Sequence, residues 1–281
     1  MKNLQGKVVV ITGAGSGIGR ALAIFAATRG ASLALADWNE AGLEETAELT
    51  GASPGRLFTR KLDVRDDSAV NAFAADVKDK LRGADVIVNN AGVSLSHSIG
   101  LMKREDFEWI MDINFWGVVR GTEAFLPQLL AKEEGHVVNV SSIFGVIAVP
   151  RQSAYNASKF AVRGYTEALS AELRKTRVKV TVVLPGGVRT GIVTNGRQYE
   201  NLSGQPTDPA TLGKTFERIA GSSPEEAAQI IWSGVLRGAP RVLVGRDARL
   251  ADLVQRLFPT RYSRVLQGTT RLAGRLRGVR L

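Results

Sequence analysis

The chain reads as a doubly wound α/β protein: a seven-stranded parallel sheet with helices on both faces. Three observations predict that class. Short aliphatic runs alternate with helix-like segments along most of the 281 residues, the order expected of strands joined by crossover helices. The strand-like runs are apolar at successive positions, so both their faces are covered, as buried parallel strands require. A glycine-rich turn follows the first run and opens the first helix, the arrangement that receives a dinucleotide phosphate in such sheets.

The elements follow in order. Lys7-Val8-Val9-Val10-Ile11-Thr12 is β-branched, stops at glycine and reads as a buried strand. Residues 20–29 are rich in alanine and leucine and form a helix closed by Gly30. Ser32-Leu33-Ala34-Leu35-Ala36-Asp37 is the second strand, residues 41–49 a helix, and residues 55–62 the third strand. Residues 68–81 form a helix with apolar spacing at Val70, Phe73, Ala74 and Val77. Asp85-Val86-Ile87-Val88-Asn89 is the fourth strand, and a long helix covers residues 107–130. His136-Val137-Val138-Asn139-Val140-Ser141 is the fifth strand and residues 153–174 another long helix. Residues 178–184 and 241–244 complete the seven strands. Residues 191–211, rich in Gly, Asn, Ser, Thr and Pro, lie between regular elements. They read equally as a substrate lid or as a disordered surface loop.

Composition narrows the function classes. An apolar fraction of 44% and a charged fraction of 23% are ordinary for a soluble globular protein. Residues 1–245 are expected to form one domain, with 246–281 a basic extension of it. The absence of cysteine removes disulfides, thiolate nucleophiles and cysteine-bound zinc. With only His97 and His136, no metal site is expected. Residues 1–6 carry no signal-peptide pattern and no apolar run approaches the ~18 residues of a span, so a cytoplasmic protein is expected. The formal charge is +10, yet nine arginines and two aspartates between Arg246 and Leu281 hold +7 of it. Without a nucleic-acid motif beside that tail, no nucleic-acid partner is expected. Leu250, Leu253, Val254, Leu257 and Phe258 stand at helical spacing and make one apolar stripe, ended by Pro259. A helix packed on its own subunit or a neighbour's is the favoured reading of that stripe. Peripheral contact with an anionic membrane is the other.

Thr12-Gly13-Ala14-Gly15-Ser16-Gly17-Ile18-Gly19 joins the first strand to the first helix, with spacing G-x-x-x-G-x-G. Gly13 permits a tight turn, Gly17 a close approach to pyrophosphate, and Gly19 close packing of helix on sheet. The helix N-terminus offers its free amides to phosphate. Asp37, at the tip of the second strand, suits the ribose hydroxyls of an adenosine and repels a 2′-phosphate. Its neighbour Trp38 is not basic, nor is Ser16, so NAD is the expected cofactor.

Ser142 stands 13 residues before Tyr155, and Lys159 four after it. An unassisted phenol titrates near ~10. A lysine one helical turn away shares its face and favours the phenolate. A serine hydroxyl beside it suits a substrate oxygen, so the trio suits moving a proton on or off oxygen. Ser141, one residue off that spacing, reads as closing the strand end.

Over residues 6–244 the chain resembles the short-chain dehydrogenase/reductase family in its single-domain, Rossmann-like form. The resemblance rests on residues 12–19, Asp63-Val64, Asn89-Asn90-Ala91-Gly92, Asn114, Ser142, Tyr155 to Lys159, and Pro185-Gly186-Gly187-Val188-Arg189-Thr190. It implies cofactor contacts from Gly13, Ser16, Gly17, Ile18, Gly19 and Asp37. It implies adenine contacts from Asp63 and Val64, and a cleft wall from Asn90, Ala91 and Gly92. A nicotinamide pocket is implied from Pro185, Gly186, Val188 and Thr190. Tyr155 would be the general acid in reduction and the base in oxidation. Lys159 would bind the nicotinamide ribose and lower the Tyr155 pKa, and Ser142 would steady the substrate oxygen. Asn114 would interrupt its helix and hold a water leading toward Lys159; a helix-interior Asn bonded to backbone is the alternative.

Position suggests a substrate pocket from Val93, Ser94 and His97, then Ile143 and Phe144 beside Ser142, Gln152, and Gly187, Ile192, Val193 and Tyr199 on or near the loop. His97 is the exception, more readily read as exposed. The mix is mainly apolar and suits a lipophilic secondary alcohol or ketone. The expected function is NAD-dependent hydride transfer to or from such a substrate, in a homodimer or homotetramer. The alternative is a catalytically silent dinucleotide sensor, against which the intact Ser142, Tyr155 and Lys159 stand.

Overall fold

Val8–Thr12 (β1) is buried at every position, as a strand covered on both faces must be. A computed structural model describes residues 1–201 and 203–266 of the chain. After β1 come α1 (Gly17–Thr28), β2 (Ser32–Asp37), α2 (Glu40–Thr50), β3 (Leu57–Lys61), α3 (Asp67–Leu81) and β4 (Val86–Asn89). Next are β5 (Leu95–Ser96), α4 (Arg104–Met111), α5 (Gly117–Leu130), β6 (Gly135–Val140), α6 (Ser153–Glu172) and β7 (Val178–Pro185). Then follow β8 (Arg197–Gln198), α7 (Pro209–Ile219), α8 (Pro224–Leu236), β9 (Arg241–Val244) and α9 (Arg246–Leu257).

Seven strands form one parallel sheet in the order β3-β2-β1-β4-β6-β7-β9. The chain winds outward from β1 in one direction, then returns and winds outward from β4 in the other. The β1–β4 boundary is therefore the topological switch point, where the loops leaving the strands part and open a crevice. One face of the sheet packs on α1 and α8, with Trp232 at its centre donating its indole N–H to Leu22 O at 3.1 Å. The other packs on α3, α5 and α6 through Phe73, Phe125, Leu129 and Leu169.

The structure adds β5, β8 and α7 to the sequence reading and departs from it further on. The expected helix over 107–130 begins at Arg104 and passes through a π turn over Asp112–Trp116. Helix α8 is absent from the sequence reading, although Ser223 and Glu226 form a capping box with Pro224 at the first turn, a local start signal. The stripe on α9 does not face the core of its own subunit. Ala248, Ala251 and Asp252 turn inward, while Leu250, Leu253, Leu257 and Phe258 are exposed. Small alanines let α9 lie close against its neighbours, which leaves the larger side chains outside. The basic residues expected beyond position 266 lie outside the described residues. Among the described residues, no helix is long and apolar enough to cross a membrane.

His136 on β6 is almost fully buried, and its Nε2 lies 2.8 Å from Thr181 Oγ1. The Thr181 hydroxyl spends its proton on Ala239 O at 2.7 Å. The imidazole must therefore donate from Nε2, as a neutral ring does in one tautomer. Burial pushes its pKa down to about 3, aided by the chain's N-terminal charge and Lys179. A histidine neutral when folded and titrating at ~6.5 when unfolded stabilises the fold above pH ~6.5, and that stabilisation is lost as pH falls. Urea unfolding at pH 7 and pH 5 is expected to differ by about 2 kcal/mol from this group alone. His136→Gln, which keeps a donor, is expected to remove most of that difference.

Candidate active site

The crevice at the switch point begins with the loop between β1 and α1. Gly13 has φ +67° and Gly17 φ +51°, conformations that side-chain-bearing residues rarely adopt. A Cβ on Gly13 would lie 2.7 Å from Ala91 Cα, and one on Gly17 2.9 Å from Thr190 Cγ2. Thr12 Oγ1 accepts the backbone N–H of Asn90 and Ala91 at 3.1 and 3.2 Å. Asn90 Nδ2 donates to Thr12 O and Gly13 O at 3.1 and 3.0 Å. The glycine loop is thereby clamped to the end of β4 across the switch point.

Beside it runs a cleft of about 560 Å³, within the range of small-molecule sites. Gly13, Ser16, Gly17, Ile18 and Asp37 line one end, Asp63 and Val64 the flank, and Asn90, Ala91, Gly92, Thr190 and Ile192 the other end. Ser16 caps α1 without a side-chain bond, so the first-turn amides stay directed at the cleft. Gly19 packs α1 onto Gly13 and Asn90. These features fit a dinucleotide: a long cleft, a glycine cradle with no room for side chains, and helix amides aimed into it.

Asp37 is held rigidly. Its Oδ2 accepts the Gly15 N–H at 2.8 Å and its Oδ1 the Asn39 N–H at 2.9 Å. The nearby cations are engaged elsewhere: Arg20 with Gly15 O, Gly42 O and Glu45, Lys61 with Glu40, and Arg65 with Asp63. Asp63 accepts Arg65 from both its backbone N–H and its guanidinium, which holds its carboxyl below the usual range. An adenine amino group at Asp63 would have to share it with Arg65, a neighbour that sequence reasoning passed over.

Ser142, Tyr155 and Lys159 lie where β6 meets α6. Ser142 follows the end of β6, and Tyr155 and Lys159 share one face of α6, one turn apart. Ser142, Tyr155 and Lys159 are only 8%, 8% and 2% exposed. Burial pushes the Tyr155 phenol up to about 12, and hydrogen bonding to Ser142 acts weakly the other way. Burial also pushes the Lys159 ammonium down to about 8. Its Nζ donates to Val140 O at 3.2 Å and lies 5.8 Å from the centre of the Tyr155 ring. Within the protein alone, burial therefore decides, and the phenol is raised rather than lowered as the spacing suggested. Phe144 meets the Tyr155 ring edge-on at 6.0 Å.

Three residues hold this arrangement. Asn114, in the π turn and fully buried, accepts Val93 N–H at 2.8 Å and donates to Val93 O and Ser158 Oγ, both at 3.0 Å. It thus both interrupts its helix and bonds to backbone. Ser141 closes the strand end and also donates its hydroxyl to Lys159 O at 2.7 Å. Asn156, missed by sequence reasoning, accepts Val149 N–H at 3.1 Å and donates to Phe144 O and Ile147 O at 2.8 and 2.9 Å. It fixes the loop after Ser142; its only sequence signal is a place beside Tyr155.

Residues 191–201 are tied to the chain after β4 rather than forming a loose loop. Strand β8 pairs with β5, and Ser94 Oγ donates to Ile192 O at 2.8 Å while accepting from Gln198 Nε2 at 2.6 Å. Arg197 pairs with buried Asp106 at 2.6 Å and lies over the Trp109 ring. His97 stacks on Tyr199 at 4.6 Å, beside Glu200. These two aromatic groups meet each other rather than Tyr155. Gln152 caps α6 without a side-chain bond. Gly187 donates its N–H to Asp247 of α9 at 2.6 Å, and Pro185 and Gly186 lie at the end of β7 just before it. Val188 bridges to Ser222 behind the cleft.

Comparison with known proteins gives one family. The sequence pattern of the short chain dehydrogenases matches residues 7–201. The Mycobacterium tuberculosis protein SadH is 44% identical over 95% of this chain and 96% of its own length. Estradiol 17-beta-dehydrogenase 11 of Macaca fascicularis is 32% identical over 95% of this chain and 84% of its own. A Burkholderia phymatum short-chain dehydrogenase/reductase, solved in complex with NAD, superposes with a TM-score of 0.82 at 29% identity, covering 91% of this chain and 95% of that one.

Asn156→Ala strands a partly buried N–H and two carbonyls and is expected to cost about 2–3 kcal/mol of stability in urea unfolding. Its expected kinetic effect is a raised substrate KM, with NADH affinity, read by fluorescence titration, within about twofold of wild type, because the bonds it loses all lie on the loop after Ser142.

Proposed function

The chain belongs to the short-chain dehydrogenase family, and from that premise we propose an NAD-dependent oxidoreductase acting on a lipophilic secondary alcohol or ketone. The observation that carries the reading is the buried Ser142–Tyr155–Lys159 group, whose Lys159 Nζ would lie 3.3 Å from a Cβ on the cleft-lining Gly92. When bound, the nicotinamide supplies the hydride acceptor or donor. The rest is the work of this chain's side chains.

The first-turn amides of α1 bind the pyrophosphate, and Asp37 accepts the adenosine ribose hydroxyls. Asp63 and Val64 flank the adenine, and Thr190, Val188, Pro185 and Gly186 shape the nicotinamide end. Ser142 donates to the substrate oxygen. Tyr155 gives that oxygen its proton in reduction and removes it in oxidation. Lys159 binds ribose hydroxyls and brings its charge toward the phenol. Asn114 is the positioning residue that fixes Val93 and the Ser158 turn of α6. Phe144, which meets the Tyr155 ring, and Gly187 and Ile192 would give the substrate an apolar lining. Support for a lipophilic substrate comes from the Phe144 ring beside Tyr155 and from the relative named for estradiol.

Preference for NAD follows from charge. A 2′-phosphate would meet Asp37, whose nearest cations are already paired. The repulsion is expected to favour NADH over NADPH about 100-fold in dissociation constant, near ~2.7 kcal/mol. Fluorescence titration with both cofactors checks this, and equal affinities would remove Asp37 from the account. NADH formation at 340 nm across secondary alcohols and hydroxysteroids tests the reaction. Tyr155→Phe is expected to lower kcat by about 10²–10⁴ while NADH still binds. The phenolate is the base form, so oxidation kcat/KM is expected to rise with pH from 7 to 9, approaching about tenfold per unit, while reduction does not rise. A pH-independent oxidation, or undiminished turnover by Tyr155→Phe, would contradict the role assigned to Tyr155.

A further inference from the structure

We propose that α9 docks this protein onto an anionic lipid bilayer surface. The proposal stands on the orientation of the helix and on its charge, and it does not require the reaction assigned above.

At about 100° per residue, Arg246, Arg249, Leu250, Leu253, Arg256 and Leu257 lie on one side of α9. Leu250, Leu253 and Leu257 are 53%, 53% and 64% exposed, and Phe258 just beyond them 47%. On the opposite side Ala248 and Ala251 are buried against Ile143, Val146, Ile147, Val182 and Leu184. A helix serving only its own core would turn its leucines inward; this one turns its alanines inward and presents its leucines. The face is also held firmly. Asp247 accepts the Gly187 N–H at 2.6 Å, and Tyr262 Oη accepts the Ala148 N–H at 2.9 Å.

Charge selects the occupant. Arg246, Arg249, Arg261 and Arg264 are exposed and make no ion pair among the described residues; Arg256 pairs with Asp252. From Arg246 to Leu281 the sequence carries nine arginines, no lysine and two aspartates. A second copy of this face would bring like charges together. An anionic bilayer instead offers phosphates to the guanidinium heads while their stems and the leucines enter the interface. The same helix braces Gly187 and the loop after Ser142, so docking would hold the substrate side of the protein near the lipid.

The test is co-sedimentation of the full-length protein with phosphatidylcholine vesicles, with and without about 30 mol% phosphatidylglycerol. Binding is expected only to the anionic vesicles and is expected to weaken at high salt. Leu253→Glu is expected to lower partitioning at least about tenfold, through lost apolar insertion and added repulsion. The pair Arg246→Ala and Arg249→Ala is expected to lower it by up to about 25-fold, roughly fivefold per arginine. Unchanged NADH affinity and thermal unfolding show that each variant is folded, since all three positions are exposed. No binding, equal binding to neutral vesicles, or variants that bind like wild type would overturn the proposal. So would a wild-type dimer that Leu253→Glu splits in analytical ultracentrifugation without any vesicle binding, which would make the face a contact between copies.

Discussion

Removing a phenol and an ammonium from water at the same point is the constraint on which this site depends. Each loses hydration in its charged form, so burial drives Tyr155 toward the neutral phenol and Lys159 toward the neutral amine. A proton on Tyr155 is secure near neutral pH, and in the proposed reaction it goes to the substrate oxygen. Taking it back requires positive charge close to the phenol, which the protein alone supplies only weakly. In the proposed reaction, that charge comes from Lys159 drawn toward its ribose partners and from the oxidised cofactor. In that reaction, proton transfer would be conditional on a filled cleft.

The surrounding structure keeps that pair in place. Ser141 ties α6 to the end of β6, Asn114 ties it to the chain after β4, and Asn156 ties it to the loop after Ser142. Thr12 and Asn90 do the same for the two halves of the sheet at the switch point. The bonds within the Asn114, Asn156 and Thr12–Asn90 clusters are between buried or partly buried polar groups, where a lost partner leaves a desolvation cost unmet. Cleft and trio are therefore parts of one polar framework spanning β1, β4, β6 and α6.

Much of this is legible in the sequence because it is local. Aliphatic runs mark the seven strands, and the glycine spacing before α1 marks a loop that cannot carry side chains. The i, i+4 relation of Tyr155 and Lys159 follows from helix geometry alone. What stays hidden depends on tertiary contact. Nothing near Asn156 announces that it bonds the loop over residues 144–149, and the fork of Arg65 on Asp63 needs the folded turn. Spacing misjudges the pKa of Tyr155 because it reports a neighbouring charge but not desolvation, and desolvation is the larger effect in this site. It leaves the orientation of α9 open for a related reason. Periodicity identifies an apolar stripe, but only the packing of Ala248 and Ala251 decides which side turns inward. The capping box of α8, by contrast, is a local signal and readable.

The central claim is that Tyr155 is kept neutral by burial and becomes a base only when positive charge is brought to it. Ultraviolet difference spectroscopy of tyrosinate at pH 9 tests this directly. The background is low: the chain has four tyrosines, and Tyr165 and Tyr199 are pushed upward as well. The protein alone is expected to show no tyrosinate assignable to Tyr155. With saturating NAD, one tyrosinate is expected to appear, and it is expected to be absent from Tyr155→Phe. A spectrum unchanged by NAD, or a tyrosinate that persists in Tyr155→Phe, would contradict the claim.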